Sequence, residues 1–392
     1  MTTSTPDLVP ETAAPPRMAV IDAPPWREAL ARLERHPFQQ LQLASREKFH
    51  TAMLAHVLSH PRIGRPVFEE ITEQSVATDL RAVCEHASMD LIIVPAGGTV
   101  SDPWIGVVEM KYGTRLHSDQ LHKYAAKIER HRRQTGGDDP KRLLISLFEP
   151  RVPGGIRKIG FRRIDLLDEV LRAVAERCVR LNGDDGDALV RLWVDYLENI
   201  RVLRAHLEHL GTNADPEFGT ALRPTKLRGL FEEQRLLPSR DRLVEALGAD
   251  LSKKAHPLVV VSNTHGNPLV ETNFWPVTGV AVKYGLQWQA GNLKLFVSFE
   301  GRRCRDEAAR EQTLKSLADR LRAITEDAVD WGENTPWSCN RTGRFRSVTV
   351  LKWDPWGDVS DRPREFAVLA RALREDGECR RIVVELIERG SA

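Results

Sequence analysis

The segment from Trp104 to Lys111, with the sequence Trp-Ile-Gly-Val-Val-Glu-Met-Lys, constrains the fold of this 392-residue chain more than any other feature. Its apolar, β-branched centre is typical of a buried strand, in which successive side chains point to opposite faces. The pattern assigns one face to Ile105, Val107, Glu109 and Lys111, and the other face to Trp104, Val108 and Met110. A carboxylate and an amine therefore meet at the end of the strand, where isolated charge is costly to bury. A structural salt bridge is the alternative interpretation of this pair.

A second strand is predicted upstream, in the run Met89-Asp-Leu-Ile-Ile-Val94. The residues between the two strands, 95–103, are rich in proline, glycine, serine and aspartate, which favours a hairpin with a long loop. Antiparallel pairing across this hairpin would bring Asp90 close to Glu109. Asp90 could also simply cap the start of its strand.

Two predicted helices flank this hairpin. The first, at 46–59, is amphipathic and carries Glu47 in its first turn. The second runs from Gln120 to Gln134 after the capping signals Ser118 and Asp119. Its apolar stripe is predicted as Leu121, Ala125 and Ile128, and a neighbouring polar line as Gln120, Tyr124 and Lys127, which can face Glu109. Taken singly, Glu47 is more typical of a solvated helix surface and Tyr124 of a core edge.

In this order, Glu47, Asp90, Glu109-Met110-Lys111, Gln120 and Tyr124 resemble the PD-(D/E)XK nuclease superfamily, and more narrowly its bacterial PD-(D/E)XK family proteins. The resemblance covers about residues 45–165, under half of the chain. Met89 stands where the superfamily name has proline, at a position that varies and carries no ligand. The resemblance implies a restriction-endonuclease-like α-β-β-β-α-β core with a mixed sheet. It also implies a metal-dependent endonuclease that hydrolyses nucleic acid.

Phosphodiester cleavage needs a divalent cation that neutralises phosphate charge and acidifies a water molecule. Hard oxygen ligands select Mg²⁺ or Mn²⁺. Asp90 and Glu109 are the candidate direct ligands, with the Met110 carbonyl as a third and Glu47 binding directly or through water. Lys111 would orient or deprotonate the attacking water, or stabilise the developing charge. Gln120 and Tyr124 would position the nucleophile or a phosphate oxygen.

The resemblance favours DNA over RNA as the substrate, and bacterial restriction or anti-phage defence as the setting. A homodimer would suit double-strand cleavage by subunits with one site each. The alternative function is a catalytically inactive nucleic-acid or protein binding module that retains the fold. A metal-free structural protein would leave the charged cluster without a purpose.

Charge is balanced over the whole chain, with 57 basic and 55 acidic residues and a net charge of +2. Between Lys111 and Arg163, however, basic side chains outnumber acidic ones, which is typical of a phosphate-binding strip. Its members are Arg115, Lys123, Lys127, Arg130, Arg132, Arg133, Lys141, Arg142, Arg151, Arg157, Lys158 and Arg162. A solvated helix end would also explain the basic run 130–133.

The remaining composition indicates a cytoplasmic protein. No apolar run is long enough to span a membrane, and residues 1–25 read as a flexible tail and not as a secretory signal. The five cysteines lack the spacing of a zinc site or a disulfide framework, so reduced thiols are expected. No phosphate-binding loop is present in the sequence, and no ATP-driven motor is expected.

The chain is predicted to divide into a nuclease-like domain at 26–181, a linker at 182–187 and a C-terminal α+β accessory domain at 188–392. In the first domain, helices are expected at 27–35, 46–59, 66–74, 118–134 and 165–181, and strands at 80–86, 89–94, 104–111, 142–148 and 156–163. In the second, helices are expected at 188–210, to about 249, at 306–329 and at 361–374, and strands at 258–262, 279–284, 286–289, 293–299 and 347–353. Core positions are favoured for Trp275, Trp288, Trp331, Trp337, Trp353 and Trp356 over a base-stacking surface.

Overall fold

Two β-sheets organise the chain, a five-stranded mixed sheet in the first half and a six-stranded antiparallel sheet in the second. The structure is a computed structural model. It describes residues 24–43, 45–112, 120–148, 159–179, 181, 185–247, 259–264, 267–276, 282–289, 291–299, 307–331, 338–340 and 345–391. The predicted flexible tail, apart from residues 24 and 25, lies outside these ranges. The fold is therefore of the mixed α/β class.

The strands of the first sheet are β1 (Leu80–His86), β2 (Met89–Pro95), β3 (Gly106–Lys111), β4 (Lys141–Ser146) and β5 (Phe161–Asp165). They lie in this order, with β1, β2 and β3 antiparallel and β3, β4 and β5 parallel. The accompanying helices are α1 (Pro25–Arg35), α2 (Pro37–Gln40), α3 (Glu47–Leu58), α4 (Gly64–Thr72), α5 (Gln120–Thr135), a one-turn π-helix (Leu166–Val170) leading into α6 (Leu171–Cys178), and α7 (Asp185–Leu210). The predicted elements of this half are confirmed to within a few residues where the structure describes them, and α2 was not predicted. Residues 118–119 of one predicted helix and 156–158 of one predicted strand lie outside the described residues.

Alternating side chains bury both faces of β3. Val107 packs with α5 on one face, while Val108 and Met110 join the larger core formed with α3, α4, α6 and α7 on the other. The predicted alternation is wrong for Trp104 and Ile105, which pack on the faces opposite to those expected. The reason is that the strand begins only at Gly106, so the period of two does not extend to these residues.

The apolar stripe of α5 also differs from the prediction. Leu121, Tyr124 and Ile128 are buried against the sheet, whereas Ala125 is only half-buried. Tyr124 takes the core position because its ring supplies a large apolar surface while its hydroxyl can still reach a polar partner.

The second sheet has the order β10-β11-β9-β8-β7-β6. Its strands are β6 (Val259–Thr264), β7 (Asn267–Thr272), β8 (Val282–Gln289), β9 (Asn292–Phe299), β10 (Ser338–Asn340) and β11 (Phe345–Lys352). The later helices are α8 (Pro216–Ala221), α9 (Arg228–Leu247), α10 (Glu307–Thr325), α11 (Arg362–Glu375) and α12 (Gly377–Ser391). The predictions missed β7, β10 and α12.

The strands predicted at 279–284 and 286–289 form one strand, β8. Gly285, between them, lies so close to β7 that an added Cβ would be 1.7 Å from the Thr272 carbonyl oxygen. Glycine here marks a close approach of two backbones and not a chain break.

The hydrophobic core around the first sheet extends well beyond residue 181. It includes α7 through Trp193 and Tyr196, the start of α9 through Phe231, and Trp356 from the last third of the chain. The first turn of α7 begins at Asp185, inside the segment predicted as a linker. Helix α7, predicted as the start of the accessory domain, therefore belongs to the core around the first sheet.

Four of the tryptophans expected in the core, Trp288, Trp331, Trp353 and Trp356, are buried. Trp275 is half-buried, and Trp337 lies outside the described residues. Cys84 is exposed, whereas Cys178 and Cys379 are buried. Within the described parts of the chain, no helix combines the length and apolar character that crossing a bilayer requires.

Candidate active site

The pairing of β2 with β3 ends next to Asp90 and Glu109, the two acidic residues identified in the sequence. Backbone pairing runs from Ile93 with Gly106 to Leu91 with Val108 and then stops. Beyond this point, the Asp90 side chain replaces the backbone pairing, because its Oδ2 accepts a hydrogen bond from the Met110 amide at 2.9 Å. Asp90 and Glu109 thus lie at the point where the two strands separate.

Glu109 is completely buried at this point. Its Oε1 forms an ion pair with Lys111 Nζ and accepts a hydrogen bond from Gln120 Nε2, each at 2.6 Å. Its Oε2 is also buried but accepts no hydrogen bond from the part of the chain that the structure describes. One half of this carboxylate is therefore satisfied and the other half is not.

Burial is the main reason why the pKa of Glu109 is raised from 4.5 to about 7. Lys111 opposes this shift, whereas Asp90 adds to it by charge repulsion and by bonding to the protonated carboxyl group. Two carboxylates that face each other are both acceptors, so a proton or a cation between them lowers their repulsion. The effect of Asp90 on the pKa of Glu109 shows that the two side chains interact.

Lys111 is a second buried charge and links two acidic residues. In addition to Glu109, its Nζ donates to Glu47 Oε1 at 3.1 Å. Burial acts most strongly and lowers the pKa of Lys111, but the negative charges of Glu109 and Glu47 outweigh it and leave the pKa raised. The ammonium group therefore stays protonated at neutral pH.

Glu47 is the first residue of α3, where the helix dipole favours a negative charge. While its Oε1 binds Lys111, its Oε2 accepts a hydrogen bond from the Tyr112 amide at 3.2 Å. A single carboxylate thus holds two successive residues at the end of β3.

Helix α5 contributes the other two predicted residues, Gln120 and Tyr124, from the opposite side of Glu109 to Glu47. Gln120 Nε2 bonds to Glu109 and also lies 3.3 Å from the Tyr124 hydroxyl oxygen. Burial raises the pKa of Tyr124, Gln120 lowers it, and Glu109 and Asp90 raise it further. Lys127 does not face Glu109, because its Nζ donates to the Ala87 carbonyl at the β1–β2 turn.

The Met110 carbonyl was predicted as a backbone ligand. Strand β4 donates hydrogen bonds to the carbonyls of Ile105 and Lys111. Because carbonyls alternate in direction along a strand, that of Met110 points away from β4 towards β2, where pairing has ended. Its direction is compatible with a role as a ligand.

No group of three or more His, Cys, Asp or Glu side chains in the described ranges has the arrangement of a preformed metal site. The Lys111 ammonium group instead bridges Glu109 and Glu47. Glu109 nevertheless keeps a buried, unbonded Oε2, and carboxylate and carbonyl oxygens are the ligands that a hard divalent cation prefers.

Surface acids partly neutralise the basic strip predicted between Lys111 and Arg163. Glu129 pairs with Arg132 and Arg133, Asp139 with Arg142, and Glu73 with Arg162. Such exposed pairs are weak, so these cations can still exchange partners. Four predicted members, Arg115, Arg151, Arg157 and Lys158, lie outside the described residues.

Sequence reasoning missed two residues at this site, Tyr112 and His50. Tyr112 donates its amide to Glu47, and its ring stacks on His50 at 3.8 Å between centroids. A signal was present, because Tyr112 directly follows Lys111 and His50 follows Glu47 by three residues on the same helix.

Comparisons of this chain with protein-family models, with curated proteins and with solved structures gave no significant match.

Proposed function

We propose that this protein is a metal-dependent nuclease of the PD-(D/E)XK type, with a restriction-endonuclease-like core formed by α3, β1 to β5 and α5. The observation that supports this most is the meeting of Asp90, Glu109 and Lys111 where β2 and β3 separate. The strand order of the mixed sheet is compatible with such a core.

Asp90, Glu109 and the Met110 carbonyl would hold Mg²⁺ or Mn²⁺, and Glu47 would bind it directly or through water. The bound ion would neutralise charge on the scissile phosphate and make a water molecule more acidic. Glu109 contributes its unbonded Oε2, whose burial beside Asp90 favours a cation partner. The buried Glu109 carboxylate and its neighbour Asp90 would thus supply negative charge to the ion.

Lys111 acts as a cation and not as a base in this proposal, because its pKa is raised. Its Nζ keeps its proton and stabilises negative charge on the phosphate oxygens. Gln120 holds the Glu109 carboxylate in place through its side-chain amide. The Tyr124 hydroxyl, also protonated, remains a donor for the nucleophile or a phosphate oxygen.

A catalytically inactive binding module is the second candidate. The observation that favours it is the Lys111 ammonium group, which fills the space between Glu109 and Glu47 with good hydrogen-bond distances. Such an ion pair balances part of the charge of both carboxylates without any metal, although it leaves Glu109 Oε2 unbonded. Retention of the fold for binding nucleic acid or protein would then explain the arrangement.

Cleavage assays separate the two functions. The purified protein is incubated with plasmid DNA and, in parallel, with RNA, in the presence of Mg²⁺, Mn²⁺ or EDTA. We expect cleavage only with a divalent cation, and a loss of at least about a hundredfold in Asp90→Asn and Lys111→Ala, which remove a ligand and a charge that act on the reacting phosphate. The RNA arm decides whether DNA is the preferred substrate.

Two surface variants on α10 serve as matched controls, Asp319→Asn and Lys315→Ala. Asp319 is exposed, and Lys315 forms only a local pair with Glu311 at 3.0 Å. Both controls should cut as the wild type does. Nucleic-acid binding without cleavage under every metal condition would instead identify the inactive module.

The resemblance to bacterial PD-(D/E)XK proteins leads us to propose restriction or anti-phage defence as the setting, in the cytoplasm and with DNA as the target. Cleavage of both strands would be aided by a homodimer, with one site for each strand.

A further inference from the structure

A buried cluster of aromatic and imidazole rings lies behind the Glu47 side of the candidate site. Its members are His50 on α3, Tyr112 at the end of β3, and Trp193 and Tyr196 on α7, and each is 2 % exposed or less. The His50 and Tyr112 rings are stacked, with centroids 3.8 Å apart and planes 11° apart. The cluster thus connects α7 to the strand that carries Lys111.

Hydrogen bonds fix the chemical state of this cluster. The Trp193 indole can only donate, and it donates to His50 Nδ1 at 3.2 Å. His50 is therefore neutral, with its ring hydrogen on Nε2. The hydroxyl oxygens of Tyr112 and Tyr196 are 3.0 Å apart and share a hydrogen bond. Two polar contacts thus hold the stacked pair against α7.

The stack has a direct geometric relation to Glu47. His50 lies three residues after Glu47 on α3, so the two side chains emerge on the same side of the helix. The residue on which His50 stacks is also the residue whose amide binds Glu47 Oε2. A movement of Tyr112 against the His50 ring would therefore also move the Tyr112 amide away from Glu47 Oε2. Because the same Glu47 carboxylate binds Lys111 through Oε1, that contact would change as well.

We propose that His50 is a positioning residue that holds the Glu47 carboxylate against Lys111 and the Tyr112 amide, with Trp193 and Tyr196 of α7 as its support. The kinetic part of this inference rests on the proposed nuclease function. A purely apolar ring would fill the same space, so the neutral imidazole serves here to accept the Trp193 hydrogen bond while it stacks on Tyr112. Groups that orient a ligand residue typically change metal affinity or activity by about 10–100-fold when they are removed.

The chain offers a matched control. His131 on α5 stacks on Trp104 with nearly the same geometry, 3.8 Å between centroids and 12° between planes, but it contacts none of the site residues through an observed hydrogen bond. His50→Gln and His131→Gln thus remove the same ring from stacks of similar geometry, the first fully buried and the second half-buried. Only the first should affect Glu47.

The main experiment measures kcat and KM for metal-dependent cleavage by both variants in the full-length protein. We expect His50→Gln to lower kcat about tenfold with KM unchanged, and His131→Gln to leave both unchanged. In a Glu47→Ala background, His50→Gln should have no further effect on kcat, because its influence passes through Glu47. Additive losses in the double variant would overturn the proposal.

A rescue experiment tests the stacking itself. The double variant His50→Phe, Trp193→Phe keeps an aromatic ring on Tyr112 and removes both members of the buried hydrogen bond together. We expect its kcat to return towards the wild-type value. A kcat as low as that of His50→Gln would contradict positioning by the stacked ring.

A readout without cleavage separates this inference from the proposed function. The Tyr112 backbone amide, observed by NMR, reports its hydrogen bond to Glu47. We expect His50→Gln to move this resonance in the same direction as Glu47→Gln, and His131→Gln to leave it in place. If the wild type cuts no nucleic acid, the nuclease proposal fails, and the Tyr112 resonance alone decides whether His50 positions Glu47.

Discussion

At the scale of single residues, Glu109 shows how the site differs from an ordinary salt bridge. The carboxylate is fully buried, and Lys111 and Gln120 both bind the same oxygen, Oε1. A structural ion pair would gain from using both oxygens, since an unbonded buried acceptor costs about 1–3 kcal/mol. The sequence alone left open whether the Glu109–Lys111 pair was structural, and this one-sided bonding favours a further cation ligand.

The raised pKa of Glu109 gives a pH-dependence with a definite sign. Its value of about 7, above the ordinary 4.5, means that the folded protein binds this proton more tightly than the unfolded chain. The contribution to stability is complete below pH 4.5 and is lost as the pH rises through 7. A shift of this size corresponds to roughly 3 kcal/mol.

We therefore predict that the free energy of unfolding of the wild type falls between pH 5 and pH 8 by up to roughly 3 kcal/mol more than that of Glu109→Gln. Denaturant titrations of both proteins in EDTA at several pH values measure this difference. Parallel pH profiles would show that Glu109 does not cause the effect. Added Mg²⁺ should reduce the fall in the wild type, because the ion favours the charged carboxylate.

The sequence predicted Asp90, Glu109, Lys111, Glu47 and Gln120 as site residues from their order and from the faces of their elements. It did not predict which atoms form bonds. The periodicity of a helix or strand specifies the face on which a side chain lies, but it does not specify the distance to other segments of the chain. Tyr112 and His50 were missed for the same reason. Both look like ordinary core residues until the end of β3 is placed against α3.

At the scale of secondary-structure elements, the candidate site lies where β2 and β3 separate, and α7 packs behind it through the hydrogen bond from Trp193 to His50. Periodicity found nearly all elements of the first half, because their apolar patterns are long and regular. It missed β7, which begins with Asn267 and Pro268, residues typical of turns. Pairing with β6 and β8 makes this segment a strand despite its composition.

Arg204 attaches α7 to the first sheet. Its side chain is 7 % exposed and donates to the Leu147 carbonyl, to Asp165 Oδ2 at 2.8 Å and to Asp168 Oδ2 at 2.7 Å. Asp165 in turn accepts hydrogen bonds from the amides of Leu167 and Asp168 at the start of the π-helix. One guanidinium group thus links the ends of β4 and β5 to α7.

We predict that Arg204→Met lowers the free energy of unfolding by roughly 3 kcal/mol, because it leaves Asp165 and a buried carbonyl without their partner. Urea denaturation measures the change. Arg201→Met, which removes an exposed pair with Glu198 on the same helix, should change stability by less than about 1 kcal/mol. Equal effects of the two substitutions would mean that α7 is not attached in this way.

At the scale of the whole molecule, the two halves of the chain share α9 and Trp356. Phe231, near the start of α9, belongs to the first core, whereas Leu236, Leu243 and Leu247 belong to the second. Trp356 follows the last strand of the second sheet, yet it packs in the first core, and its indole donates to Glu232 at 3.1 Å. The second half therefore contributes directly to the core that carries the candidate site.

Gly219 on α8 tests this contact, because a Cβ there would lie 2.1 Å from Trp356 Cγ. We predict that Gly219→Ala destabilises the protein by about 1–3 kcal/mol through overpacking, as measured by denaturant unfolding. Gly229→Ala on α9 is the matched control, since an added Cβ would meet no atom within 4 Å. The control should be neutral or slightly stabilising, because alanine favours helix more than glycine does.

The sequence by itself determined most strands and helices of the first half, the mixed α/β class and the order of the charged residues, because these depend on local periodicity and on residue type. Only the tertiary structure decided that Lys111 bridges Glu109 and Glu47, that one Glu109 oxygen is left unbonded, and that α7 and Trp356 complete the first core. These features depend on contacts between residues far apart in the chain. Such contacts are set by the balance of burial and hydrogen bonding over the whole molecule, which no local pattern records.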